Sequence, residues 1–319
     1  MLIRFWGTRG SLPVAMDFRT LQAKLVKAIV AAAGRNLDTE DKARRFVATG
    51  LDFTVSHTFG GNSPCVQVDA GGEEHVLCDL GSGARAFGHH VIATRGAKTG
   101  NTFHVLMSHL HWDHIMGFPL FTPAYIPGNR IRIYGCHDTL EQAFRRQHAA
   151  PSFPVEFDQL AAQIEFVRLE PQQPYDIAGL RVTSMRQSHS GDSYGYRIEH
   201  AGKSVVYSTD SEHKLEEPAQ TEAFAAFFRD ADLVIFDAMY SLADAVSVKA
   251  DWGHSSNIVG VELCQMAGAK RLCLFHHEPI HSDERLHEVW RDTRRLEELT
   301  RAGAPMEILA AYDGLEITL

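Results

Sequence analysis

The chain has 319 residues, 45% of them apolar, which is enough for one large core or two small ones. Its net charge of −9, with no block of lysine or arginine, argues against a grip on a long nucleic acid, whose phosphates are usually met by a basic stripe. A small phosphate ester remains open, because a bound metal supplies positive charge locally.

No apolar run is long enough to cross a membrane, and Met1-Leu2-Ile3-Arg4-Phe5-Trp6 enters a strand without a signal peptide. The five cysteines are odd in number and lack Cys-x-x-Cys spacing, which fits reduced core residues. A soluble cytoplasmic protein is expected.

Runs that are apolar throughout or at every second residue predict strands near Leu2–Trp6, Cys65–Asp69, His75–Asp79, Thr102–Met107, Arg130–Tyr134 and Ile164–Leu169. The same signal recurs near Leu180–Met185, Tyr194–His200, Ser204–Ser208, Leu233–Asp237, Leu272–Phe275 and Met306–Ala310. Helical periodicity falls between them, at Arg19–Ala33, Thr39–Thr49, Arg85–Thr94, Thr139–His148, Ala219–Arg229, Ser256–Ala267 and Glu284–Arg301. Asp17 and Asp38 are placed to cap the first two helices. The first carries a stripe, Leu21, Leu25 and Ile29, that needs a surface to cover it: the rest of the chain, a second subunit or the mouth of a site, unless it merely decorates the surface.

The densest chemistry lies in Ser108-His109-Leu110-His111-Trp112-Asp113-His114, directly after a predicted strand. Three imidazoles beside a carboxylate would be costly to bury without a metal or hydrogen bonds, and they suffice as the start of a site for two adjacent ions. His-x-His-x-Asp-His is the signature of the metallo-β-lactamase superfamily, and the chain resembles a member from Ile3 to about Pro279. The resemblance requires further ligands after later strands. His189 follows Val182–Ser188, Asp210 follows Lys203–Thr209, and His276 follows Arg271–Phe275.

The resemblance implies an αββα four-layer sandwich forming one domain over residues 1–319, with a helical insertion at about 14–56. It implies two divalent metal ions, one held by His109, His111 and His189, the other by Asp113, His114 and His276, with Asp210 bridging. An imidazole-rich set of nitrogen and oxygen donors suits zinc and leaves manganese, iron and nickel open. Asp79, in Asp79-Leu80-Gly81-Ser82-Gly83, is expected to support the metal loop from behind the ligands, and His277 to stand behind His276. The bridging aspartate, in place of a cysteine, points away from antibiotic hydrolysis and toward phosphodiesters or thioesters.

Trp252-Gly253-His254-Ser255-Ser256 resembles the Gly-His-Ser-Thr element of transfer-RNA 3′-processing endonucleases and related phosphodiesterases. There the histidine protonates the leaving oxygen or stabilises the phosphate, which makes His254 a candidate acid and Asp237 the carboxylate that orients it. The alternative is a simple helix-capping turn. Asn62 and Ser63, in Phe59-Gly60-Gly61-Asn62-Ser63-Pro64-Cys65, either touch substrate or hold a turn. Tyr125 lies in an aromatic and proline-rich strip, Gly117 to Pro127, that either stacks a flat group such as a nucleobase or packs as core edge.

Together these features predict a dinuclear metal hydrolase of the RNase Z-like, phosphodiesterase branch, acting on small or cyclic, nucleotide-like phosphodiesters through a metal-bound hydroxide. Asp113 and Asp210 would position the hydroxide and His254 would assist departure. A thioesterase or lactonase of the same fold is the alternative enzyme, and a non-hydrolytic metal-binding accessory protein of cofactor biosynthesis the alternative class. The partner expected is a small-molecule phosphodiester, with no long nucleic acid and no membrane, and the assembly a homodimer.

Overall fold

The computed structural model describes residues 1–96, 100–240 and 252–319. Its strands are β1 (Leu2–Gly7), β2 (Cys65–Asp69), β3 (His75–Cys78), β4 (Thr102–Leu106), β5 (Arg130–Gly135), β6 (Gln163–Arg168) and β7 (Pro174–Ile177). They continue with β8 (Leu180–Gln187), β9 (Ser193–His200), β10 (Lys203–Ser208), β11 (Leu233–Asp237), β12 (Arg271–Phe275), β13 (Glu307–Ala310) and β14 (Glu316–Thr318). One sheet runs β14-β1-β2-β3-β4-β5-β6, the other β13-β12-β11-β10-β9-β8-β7.

The helices are α1 (Phe18–Ala32), α2 (Glu40–Thr49), α3 (Phe53–Ser56), α4 (Gly83–Arg95), α5 (Trp112–Ile115), α6 (Leu140–Gln147), α7 (Pro218–Phe228), α8 (Asn257–Ala267) and α9 (Asp283–Thr300). Three apolar clusters show how the layers stack. Phe5, Val66 and Leu106 from one sheet meet Val182, Tyr196 and Phe275 from the other in the central core. Phe87 and Phe144 cover the outer face of the first sheet over Phe103 and Ile131. Phe224, Phe228 and Val261 cover the second over Val206, Phe236 and Leu272. This is the αββα sandwich expected, and it explains why β11 is buried at all five positions, being central and covered on both faces.

Strands β3 to β6 are mutually parallel, as are β10 to β13. Their carboxyl ends gather at one end of the sandwich, where the loops after β3, β4, β10, β11 and β12 converge. Two edge strands escape the sequence pattern. β7 begins at a proline and buries only Ile177, and β14 has three residues of which only Ile317 is buried, so neither carries an alternating pattern long enough to read.

The insertion departs from expectation in two ways. Asp17 caps α1 by accepting from Thr20 N, but α2 is capped by Thr39, whose hydroxyl accepts from Lys42 N, while Asp38 pairs with the Lys42 ammonium. Second, the stripe Leu21, Leu25 and Ile29 points to solvent, at 50%, 52% and 71% exposure. The face turned inward is Thr20, Lys24, Ala28 and Ala32, a ridge four residues apart. At its centre the buried Lys24 ammonium donates to Thr54 O, His57 O and Asp283 Oδ2 at 2.6–2.7 Å, tying α1 to α3 and to the start of α9.

Candidate active site

At the converging strand ends, the donor atoms of His109, His111 and His189 lie within 4.8 Å of one another, as do those of Asp113, His114, Asp210 and His276. Asp210 joins the two groups. Its Oδ1 is 3.1 Å from His114 Nε2 and 3.2 Å from His276 Nε2, whereas its Oδ2 is 3.6 Å from His109 Nε2 and 3.7 Å from His189 Nε2. Each oxygen faces a different group, the placement a bridging carboxylate requires.

The backbone sets these directions. Asp79, Asp210 and His276 follow their strands with φ of 60°, 42° and 57°, a left-handed conformation uncommon outside glycine. Close packing does the rest: a Cβ on Gly10 would lie 2.6 Å from the His276 ring, and one on Gly253, at φ 82°, 2.4 Å from His189 Nδ1. Glycine is therefore required at both.

In His114 and His189 the ring nitrogen turned away from the cluster is held by another group, which aims the opposite nitrogen inward. His114 Nδ1 donates to Asp79 Oδ2 at 2.7 Å, and His189 Nδ1 to the Gly253 carbonyl at 2.7 Å. Asp79 also accepts from Ser108 N, Ser108 Oγ and the Tyr207 hydroxyl. The role of Tyr207 has no sequence signal, because an aromatic residue inside an apolar strand reads as ordinary core. The backbone N–H of Ser11 donates to Asp113 Oδ2 at 2.8 Å.

Charge favours cations here. Against burial, which would raise them, Asp113 and Asp210 are held below the usual carboxylate range by His114 and by His276, His114 and His109 respectively. Burial lowers His109, His111 and His189, keeping them in the neutral form that binds metal. His109 Nε2 is buried without a hydrogen-bond partner among the described residues. Five imidazoles and two carboxylates, inward-aimed and partly unsatisfied, fit a pair of divalent ions.

His254 stands beside both groups. Its Nδ1 donates to Asp237 Oδ2 at 2.8 Å, its ring lies 5.0 Å from that of His189 and 5.1 Å from that of His276, and Nδ1 is 4.0 Å from Asp210. Burial disfavours its charge, but Asp237, then Asp210 and Asp113, outweigh burial and raise its pKa to about 9. Asp237 is itself fixed by Ser211 N and Met239 N. The helix-capping role belongs to a neighbour instead: Ser256 caps α8 through Val259 N.

Other expected positions are occupied differently. Ser63 is fully buried, donating to Asp113 O and accepting from Ser82 N, and Asn62 bonds Asp313 and Ser82, so both hold the turn. The Tyr125 hydroxyl donates to Pro119 O. The His277 ring turns from the cluster to donate to Ala311 O, and it is the His277 backbone that reaches the site, pairing with Thr8 O and Gly10 N.

Known proteins resemble this chain in sequence and in fold. A Ribonuclease Z of Metallosphaera sedula is 27% identical over 130 residues, 39% of this chain, and the match spans only 38% of that relative's length. A Ribonuclease Z of Staphylococcus haemolyticus is 26% identical over 253 residues, 63% of the chain and 77% of the relative. Among solved structures, the metallo-beta-lactamase fold protein YhfI from Bacillus subtilis superposes with a TM-score of 0.65 at 18% identity, covering 99% of this chain and 98% of that one. A diphosphatase of the PhnP family gives 0.60 at 20% identity, with 100% and 97% covered. The family model described as a Beta-lactamase superfamily domain matches residues 75–277, from β3 through the ligand-bearing end of β12. The chain therefore belongs to the beta-lactamase superfamily and has the metallo-beta-lactamase fold.

Proposed function

We propose that the protein is a dinuclear metal-dependent phosphodiesterase acting on small or cyclic, nucleotide-like phosphodiesters. The observation that carries this reading is the 2.8 Å bond between His254 and Asp237, set beside a seven-residue ligand cluster. His109, His111 and His189 would hold one ion and Asp113, His114 and His276 the other, with Asp210 between them, and zinc suits the donors. Such ions supply Lewis acidity and an ionised water at neutral pH.

The chain's own residues do the rest. With Nδ1 donated to Asp237, His254 presents Nε2 as the proton source for a departing alkoxide. Asp237, held by two backbone N–H groups, fixes the tautomer and orientation of that ring. A net charge of −9 and the absence of a basic block in the sequence favour a compact substrate over a long RNA, although the curated relatives are ribonucleases Z. Among the described residues no helix is long and apolar enough to cross a membrane, and a cytoplasmic location is proposed on the same footing.

Replacing His254 by alanine should retain metal and lower phosphodiester turnover by roughly two to four orders of magnitude. The loss should shrink for a p-nitrophenolate leaving group, and Asp237→Asn should show a milder form of the same trend. Loss of metal in His254→Ala would make His254 a ligand. Unchanged turnover with every phosphodiester, alongside activity on thioesters or lactones, would transfer the assignment to those substrates.

A further inference from the structure

Arg9 lies in the loop that leads from β1 to the ligand cluster, and its buried guanidinium joins separate segments of the chain. Its Nε donates to Gly60 O at 2.9 Å, and its Nη1 to Glu278 O at 3.3 Å and His281 O at 3.0 Å. Its Nη2 stands 3.9 Å from Asp283 Oδ1. That oxygen also accepts from Thr58 Oγ1 and Phe59 N, while Asp283 Oδ2 takes the Lys24 ammonium of α1 at 2.7 Å. We infer that Arg9 is a positioning residue for the ligand group of Asp113, His114 and His276, and that the helical insertion reaches this group through Lys24, Asp283 and Arg9. The inference rests on the two-ion reading proposed above.

The two residues after Arg9 touch the group directly. Ser11 N donates to Asp113 Oδ2 at 2.8 Å, and the same oxygen lies 3.3 Å from His114 Nε2 and 3.3 Å from His276 Nε2. A backbone N–H on one oxygen fixes the rotation of the carboxylate. Gly10 lies so close to His276 that an added Cβ would be 2.6 Å from the ring, and Gly10 N donates to His277 O while His277 N donates to Thr8 O. Ser11 adopts φ of 54°, uncommon outside glycine, so this path of the loop has to be imposed by its anchors. Thr8 N and Arg9 N, both donating to Asn62 O, supply two of them, and the Arg9 side chain ties the loop to Gly60 and to the segment from Glu278 to Asp283.

The other ligand group leans on different parts of the chain. His189 is held by Gly253 O at 2.7 Å, Ser108 Oγ lies 3.0 Å from His109 Nδ1, and a Cβ on Gly191 would be 3.2 Å from His111 Nε2. Displacing Arg9 should therefore loosen one group and spare the other, a difference that general destabilisation does not produce.

Withdrawing zinc from the full-length, zinc-loaded protein with graded amounts of a chromophoric chelator tests this, with cobalt-loaded protein giving each ion's visible spectrum. The wild type should hold two ions. Arg9→Met should weaken one of them roughly 10–100-fold, the range expected when a group supporting metal ligands is lost, and leave the other within about 3-fold. The cobalt spectrum should change for that ion alone. Asp283→Asn, which keeps an acceptor for Thr58 and Phe59 but gives up the bond from Lys24, should show a smaller loss of the same ion. Ile131→Val, which opens a cavity over the outer face of the first sheet, should lower the thermal midpoint and keep both ions. If Arg9→Met does not fold, the Asp283→Asn titration decides. Wild-type retention of both ions in Arg9→Met, equal loss of both from the folded variant, or unchanged affinities in Asp283→Asn would overturn the inference. A wild type that holds fewer than two ions would overturn the two-ion reading, and this inference with it.

Discussion

His213 is surrounded by rings, 4.2 Å from that of Phe224 and stacked 5.2 Å from that of Phe236, and neither of its nitrogens has a hydrogen-bond partner among the described residues. Burial pushes its pKa down to about 3, against a partial offset from Asp237. A histidine depressed in the folded state gains its proton first in the unfolded one. Its contribution is thus fully present above pH 6.5 and is lost as pH falls from there toward 3, by roughly 3–5 kcal/mol in all. Thermal melts of His213→Leu should therefore fall less steeply than wild type between pH 7 and pH 4. Parallel curves would show that His213 is not a source of acid lability. At this scale the sequence was most readable where the residue types were least ordinary. Histidines and aspartates packed into a few positions are costly to bury unless a metal or a shared proton holds them, whereas the supporting Tyr207, the orphaned His213 and the Ser11 backbone N–H resemble residues found anywhere.

Helix α1 shows what periodicity can and cannot convey about an element. Its length, position and first cap were legible, because Asp17 and an apolar stripe at helical spacing are local signals. Which face turns inward was not. That depends on Asp283 and on the carbonyls of Thr54 and His57, distant in sequence, which draw Lys24 to the body and so rotate the apolar stripe outward. Lys24→Met should destabilise the fold by roughly 2–4 kcal/mol in urea unfolding, since it removes three bonds and leaves the buried Asp283 carboxylate with its bonds from Thr58 and Phe59 N and with Arg9, 3.9 Å away, as the nearby cation. The linker around residues 33–38 should also become more sensitive to protease. A change below about 0.5 kcal/mol would mean that α1 is held by something other than this lysine.

Across the whole molecule, the candidate ligand cluster is one place where the two sheets are joined by polar groups. His109, His111, Asp113 and His114 come from the end of the first sheet, and His189, Asp210 and His276 from the second. This order was legible through the family resemblance, which requires a ligand after each of these strands, and the assembled sandwich brings those strand ends to one side. A bridging role for Asp210 was implied by family resemblance alone, and only the assembled sandwich turns one of its oxygens toward each group. The purified protein should carry close to two divalent ions per chain by elemental analysis. Stripping them with a chelator should lower the thermal midpoint by roughly 5–10 °C, recovered on adding zinc. Metal-free protein that melts unchanged with or without zinc would contradict a metal-linked sandwich.

The division of ligands between the sheets also bears on synthesis. A chain emerging from the ribosome exposes His109 through His114 early, when the atoms that will complete either group are still untranslated. Asp210 follows much later and His276 later still, so a nascent chain can offer a passing ion only a partial, pliable set of donors. On the proposed ligand set, metal loading would be a closing event of biogenesis, and a product truncated before residue 276 would lack one of the seven donor residues however well its first sheet had folded.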